Sequence, residues 1–120
     1  MMVLSDLFKI VSLETSDNGC TAVLSPCRES EVYKGHFPDK PITPGVLMIK
    51  GAVELMERVS GKHLTLREVK NIKYLSLMTP DDVEGCTLEA KMDADGILSA
   101  TYKKDDAIFA KMKLLLTRNT

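Results

Sequence analysis

The sequence predicts an α+β fold in which one antiparallel sheet wraps around a single long helix. Three observations predict it. Runs of strand-forming residues bounded by turn residues fill most of the chain. One helical pattern, Pro44 to Ser60, stands alone among them. That pattern is apolar around most of its circumference, and such a helix is usually buried against more than one surface. One helix and five or six strands are most economically combined by wrapping the sheet around the helix.

The elements follow in order. Phe8 to Glu14 reads as a strand, and Asp17-Asn18-Gly19 supplies the left-handed conformations that a hairpin turn needs. Cys20 to Leu24 is its returning partner. Thr43 caps the helix, Pro44 suits its first position, and Gly61 is placed to end it. Within the helix, Lys50, Glu54, Glu57 and Arg58 share one sector, and Val46, Leu47, Ile49, Val53, Leu55, Met56 and Val59 cover most of the rest. Thr65–Leu77, Thr87–Met92, Ile97–Tyr102 and Ile108–Thr117 are the remaining strands. Thr79-Pro80-Asp81, Asp95-Gly96 and Asp105-Asp106 punctuate them, with Asp95-Gly96 the strongest hairpin signal. In the last strand Ile108, Ala110, Met112 and Leu114 fall on one face and Lys111 and Lys113 on the other.

A chain of 120 residues with no repeat, low-complexity tract or linker is one domain, residues 1–120. Sixteen basic against seventeen acidic residues leave a net charge of −1 and no general basic footprint for nucleic acid. Three cysteines without metal-ligand spacing fit reduced, buried thiols in the cytoplasm better than a disulfide framework. The first ten residues lack the charged and apolar regions of a secretory signal. No apolar run approaches the ~20 residues of a membrane span. Neither a Gly-rich phosphate loop nor a paired-Cys or helical His pair occurs, so no cofactor and no metal is expected.

The stretch that carries chemistry is Gly35-His36-Phe37-Pro38, then Pro41, then Pro44-Gly45-Val46-Leu47-Met48-Ile49. With Glu31–Gly35 upstream, and Ile72-Lys73-Tyr74 and Thr79-Pro80-Asp81-Asp82 downstream, it resembles the β-hydroxyacyl-acyl carrier protein dehydratases. These have the hotdog fold. The resemblance covers residues 31 to about 85 well and the flanks by strand pattern alone. It implies reversible loss of water from a 3-hydroxyacyl thioester of acyl carrier protein, giving the trans-2-enoyl thioester, in fatty-acid or polyene-type lipid synthesis. It also implies a dimer or higher homo-oligomer whose sites lie at the interface. His36 aligns with the family's base, which removes the proton next to the thioester carbonyl. Amides around Gly45 and Val46 are placed to hold the thioester oxygen as charge builds there. Phe37 and Met48 are further candidates for contact with substrate, since a flexible thioether suits an acyl tunnel.

In the family a helix carboxylate protonates the departing hydroxyl, fourteen residues after the histidine. Here that position is Lys50. Three readings follow. Glu54 takes over from one turn further along, displaced by about 5–6 Å. Alternatively Lys50 is the acid, on condition that burial weakens its hold on the proton. In the third, the chain is a non-catalytic acyl-binding subunit, or it forms a heterodimer with a carboxylate-bearing homologue. A thioesterase ranks below these, because the histidine and Pro-Gly-Val-Leu spacing belongs to the dehydratase branch.

Plainer roles compete residue by residue. His36 would otherwise be a loop histidine bonded to a turn, and the spacing favours the functional role. Glu57 and Arg58 fit a solvated helix face better, and His63 a surface position. The methionines, Met48, Met56 and Met78 among them, are more often core filling than ligand contacts.

Overall fold

Alternation of apolar and polar residues decides which side of each strand is inside, and the pairing register carries that choice across the sheet. A computed structural model describes residues 8–27, 45–79 and 83–118. Six strands are present: β1 (Phe8–Thr15), β2 (Gly19–Pro26), β3 (Leu64–Tyr74), β4 (Cys86–Met92), β5 (Ile97–Lys104) and β6 (Ala107–Arg118). They form one antiparallel sheet in the order β1-β2-β4-β5-β6-β3. The one helix among the described residues, α1 (Gly45–Ser60), falls between β2 and β3 in the chain and packs on one face of the sheet, as the sequence predicts.

Small side chains line both sides of that contact. Gly51 and Ala52 are buried on α1, and Ala22, Ala90, Ala100 and Ala110 are buried on the sheet. Larger residues fill the space around them, among them Leu24, Leu55, Leu88, Leu98 and Leu114. One polar group enters this core: Tyr102, fully buried, donates its hydroxyl to the Met48 carbonyl at 2.7 Å. Its ring also meets Phe8, with centroids 6.1 Å apart and planes tilted by 49°. A buried hydroxyl without a partner is costly, so this bond fixes where the first turn of α1 sits above β5.

Three expectations are corrected in detail. The last strand was expected to place Ile108 on one face with Ala110, Met112 and Leu114, but Phe109 and Ala110 are buried and Ile108 is half-exposed. The cause is a bulge: Tyr102 pairs with Ala110 and Lys103 with Ile108, so Phe109 is the extra residue and the alternation slips by one. The strand expected to run to Leu77 ends at Tyr74, because Leu75 and Ser76 both direct their N–H groups to the Phe109 carbonyl. Helix α1 buries one side only. Val46 is 60 % exposed, and Leu47, Ile49, Val53 and Val59 are only partly covered, since among the described residues the sheet meets the helix on one side only.

The end of α1 behaves as expected. Gly61 takes the left-handed φ of 71° and its N–H returns to the Glu57 carbonyl at 2.8 Å. The Glu57 carboxylate then accepts the Leu64 N–H at 3.0 Å and faces the exposed His63, so Glu57 ties the helix end to β3. Cys20 and Cys86 are buried thiols, and no disulfide is formed among the described residues. No helix among the described residues is long and apolar enough to cross a membrane.

Tyr102→Phe keeps the ring and removes the buried donor. It is expected to lower stability by about 1–2 kcal/mol. Urea unfolding would read this as a lower midpoint at unchanged slope. A midpoint equal to wild type would mean that the hydroxyl adds nothing to helix placement.

Candidate active site at the start of the helix

The first turn of a helix leaves amide N–H groups without intrahelical partners, and the helix dipole makes that end attractive to negative charge. Gly45 and Val46, whose amides the family resemblance assigns to the thioester oxygen, open α1. Val46 projects into solvent. Met48, expected as a substrate contact, is buried, and its carbonyl takes the Tyr102 hydroxyl. His36 and Phe37 lie outside the described residues.

Lys50 is exposed on the open side of α1, and Glu54, one turn on, is half-buried. A reading in which Lys50 serves as the acid requires burial, which the single chain does not supply. Arg58 is exposed, as expected. Among the described residues no three His, Cys, Asp or Glu side chains are grouped as a metal site.

One residue at this end has no counterpart among the sequence candidates. Tyr74, the last residue of β3, lays its ring against Gly45. A Cβ built on Gly45 would stand 2.6 Å from the ring carbon that bears the hydroxyl and 2.8 Å from the hydroxyl oxygen. No side chain fits there without displacing the ring. The glycine is thus explained by close approach of a side chain, not by backbone conformation. The phenol is half-exposed, and partial burial pushes its pKa up from the usual value. It therefore remains a neutral O–H donor throughout the neutral range. In the sequence Tyr74 figures only within Ile72-Lys73-Tyr74, one of the stretches that carry the family resemblance. Pairing brings Tyr74 opposite Ala110, in the same row as Tyr102, and so to the start of the helix.

Two surface depressions among the described residues lie elsewhere. One of about 400 Å³ is lined by Glu14, Cys20, Glu89, Lys91 and Thr101, among others. Another of about 470 Å³ lies at the opposite end of the helix, beside Met56, Val59 and Met92. Cys20, at the edge of the first, has its pKa raised by burial and is correspondingly a poor nucleophile. We place the candidate site by the chemistry available at the helix start, because neither depression offers a comparable set of groups.

A six-stranded antiparallel sheet around one helix defines a hotdog protein. The backbone matches the dehydratase heterocomplex ApeI:P from Xenorhabdus doucetiae with a TM-score of 0.80, at 20 % identity, over 92 % of this chain and 98 % of that one. A protein from Erwinia carotovora is also similar, with a TM-score of 0.70 at 20 % identity, over 93 % of this chain and 95 % of that one. Residues 12–113 match the ApeI-like family, described as ApeI dehydratase. The chain belongs to this dehydratase family. Among curated relatives, the 3-hydroxyacyl-[acyl-carrier-protein] dehydratase FabZ of Clostridium acetobutylicum is 38 % identical over 60 residues, 44 % of this chain and 43 % of that protein. The FabZ of Fusobacterium nucleatum is 33 % identical over 88 residues, 68 % of this chain and 62 % of that protein. The matched region thus spans about half of these relatives' length.

Gly45→Ala forces a methyl group into the Tyr74 ring. We expect a loss of at most about 1 kcal/mol in urea unfolding, because the methyl meets the far end of a half-exposed side chain that can move aside. The loss should shrink when Tyr74 is first replaced by alanine, because the two residues compete for the same space. Equal losses in both backgrounds would mean that the ring does not set the choice of glycine.

Proposed function

We propose that the chain acts as a dehydratase-like protein on 3-hydroxyacyl thioesters of acyl carrier protein, forming the trans-2-enoyl thioester in fatty-acid or polyene-type lipid synthesis. The observation that carries this reading is the family match over residues 12–113, joined to the His36 and Pro44-Gly45-Val46-Leu47 spacing within it. In the proposed reaction His36 takes the proton from C2 of the substrate, and the electron pair moves toward the thioester carbonyl. The Gly45 and Val46 amides hold the oxygen on which charge gathers. The C2–C3 double bond then forms as the C3–O bond breaks, and the departing hydroxide takes a proton to leave as water. The setting proposed is cytoplasmic, with the chain as a homodimer or higher homo-oligomer.

The source of that last proton decides between a homo- and a hetero-oligomer. Lys50 is exposed, and Glu54 is half-buried one turn away. The open side of α1 and the inward side of β3 are also uncovered: Leu66 and Val69 are exposed, with Leu75 and Leu77 just beyond the strand. Adjacent exposed apolar residues of this kind favour coverage by another chain. The likeness of this fold to a dehydratase heterocomplex favours a second reading, in which the covering chain is a related hotdog subunit. That partner supplies the carboxylate and this chain supplies His36.

Dehydration of a 3-hydroxyacyl-acyl carrier protein tests both readings with wild type, His36→Ala and Lys50→Glu. We expect slow turnover by wild type alone and a loss of ~10²-fold or more in His36→Ala, the usual contribution of a positioned base. Lys50→Glu changes an exposed residue, so its effect on stability should stay within about 0.5 kcal/mol. Its turnover is expected to rise at least about tenfold as an acid returns to the helix. Turnover that survives His36→Ala would overturn the assignment of the base. Release of free carrier thiol in place of enoyl product would point to a thioesterase. Native mass spectrometry of the chain from its own host separates homodimer from heterodimer.

A further inference from the structure

We propose that the outer face of the sheet, on the side away from α1, carries a binding site for a phosphate-type oxyanion, built from Lys73, Lys111 and Lys113 with Asn71, Ser99 and Thr101. These six residues line a depression of about 200 Å³ over β5, β6 and β3. The pairing register sets them in two adjoining rows. Thr101 stands opposite Lys111 and Lys111 opposite Lys73, while Ser99 stands opposite Lys113 and Lys113 opposite Asn71. Paired residues lie about 5 Å apart at the backbone, and the two rows about 7 Å apart. Three ammonium groups, two hydroxyls and one amide can therefore converge on a group the size of a phosphate. The alternation that turns Ala100 and Met112 into the core turns these side chains outward.

Charge makes the ligand an anion. Lys73 and Lys111 stand directly opposite each other on a ladder, an unfavourable arrangement for like charges that an anion between them relieves. Among the described residues no carboxylate lines the depression, and none of its three lysines has an ion pair. The two acids close by are engaged: Glu89, opposite Thr101, pairs with Lys103, and Glu68 pairs with Lys70 at 3.2 Å. The net charge of the whole chain is −1, so this concentration of cations is a local feature and not a consequence of composition. The kind of donor favours phosphate over a lone carboxylate. A phosphate monoester brings close to two negative charges and three acceptor oxygens at neutral pH, which suits several separate point charges. A carboxylate offers two coplanar oxygens and is better matched by a guanidinium fork. The support is firm, because β5 and β6 are each paired on both sides.

Inorganic phosphate is the first probe, titrated into the full chain at constant ionic strength and followed by phosphorus NMR and thermal unfolding. We expect saturable binding, a melting temperature that rises with phosphate, and no matching rise with acetate. Lys111→Gln and Lys73→Gln each remove one half of the opposed pair. Either should weaken phosphate binding about tenfold, the scale of one charge-assisted hydrogen bond. Without phosphate both should melt no lower than wild type, because the repulsion is relieved, so weaker binding is not loss of fold. Lys62→Gln, at an exposed position just beyond α1, should bind phosphate as wild type does. Absence of saturable binding, equal binding by wild type and both variants, an equal response to acetate, or an equal loss in Lys62→Gln would overturn the site. Phosphatidylcholine vesicles with and without phosphatidic acid identify the source of the group. Retention of wild type but not Lys111→Gln on the phosphatidic acid vesicles upholds the site and assigns its phosphate to a lipid headgroup. Binding of inorganic phosphate without retention upholds it and assigns the phosphate to a free phosphorylated molecule.

Discussion

The hydrogen bond from Tyr102 to the Met48 carbonyl is the constraint on which the candidate site depends. The small residues between helix and sheet let α1 approach closely, but alanine and glycine surfaces would allow it to slide along the strands. A buried hydroxyl restricts that freedom, because any shift that breaks the 2.7 Å contact strands a polar atom in the core. The partner is a carbonyl only three residues into α1. Positional control therefore falls on the end of the helix that carries the amides, and the far end is fixed separately by Gly61 and Glu57.

The row of the sheet that contains Tyr102 also contains Ala110 and Tyr74. Ala110 keeps this row low in the middle, and the two tyrosines rise on either side of it. One supports the first turn from below and the other closes over its beginning. The position of Gly45 follows from this arrangement, since the strand residue and the helix residue need the same volume. Core packing and the start of the helix are thereby joined by adjacent pairs of one β-ladder. A change in strand register at β3 would move Tyr74 to the outer face and away from Gly45.

The architecture was legible in the sequence because it rests on local signals that the structure leaves intact. The helix between Thr43 and Gly61, the turn at Asp95-Gly96 and the alternation from Ala110 to Leu114 are each specified by nearby residues. The errors lie where distant residues intervene. Phe109 becomes an extra residue through its pairing with β5, and β3 stops at Tyr74 because two N–H groups converge on one carbonyl. The site was legible in the same uneven way. Gly45, Val46 and Lys50 lie on one continuous helical segment, so spacing alone relates them. Tyr74 reaches Gly45 across twenty-eight intervening residues by way of sheet pairing, and no periodicity connects the two.

Lys50 shows why stability alone does not explain the sequence of α1. A charged residue in the core would have to be paired to be tolerated, whereas Lys50 stands in solvent, where most substitutions change stability little. The fold therefore places almost no demand on that position, and the choice of a cation is left to whatever faces the open side of the helix. A unit charge at about 4 Å interacts with an opposite charge by roughly 4 kcal/mol near a protein surface, before desolvation is counted. Interaction of that size is ample to favour a carboxylate-bearing neighbour over a second lysine. In the proposed assembly, a lysine in the position of an acid thus works through charge, by selecting what packs against the helix.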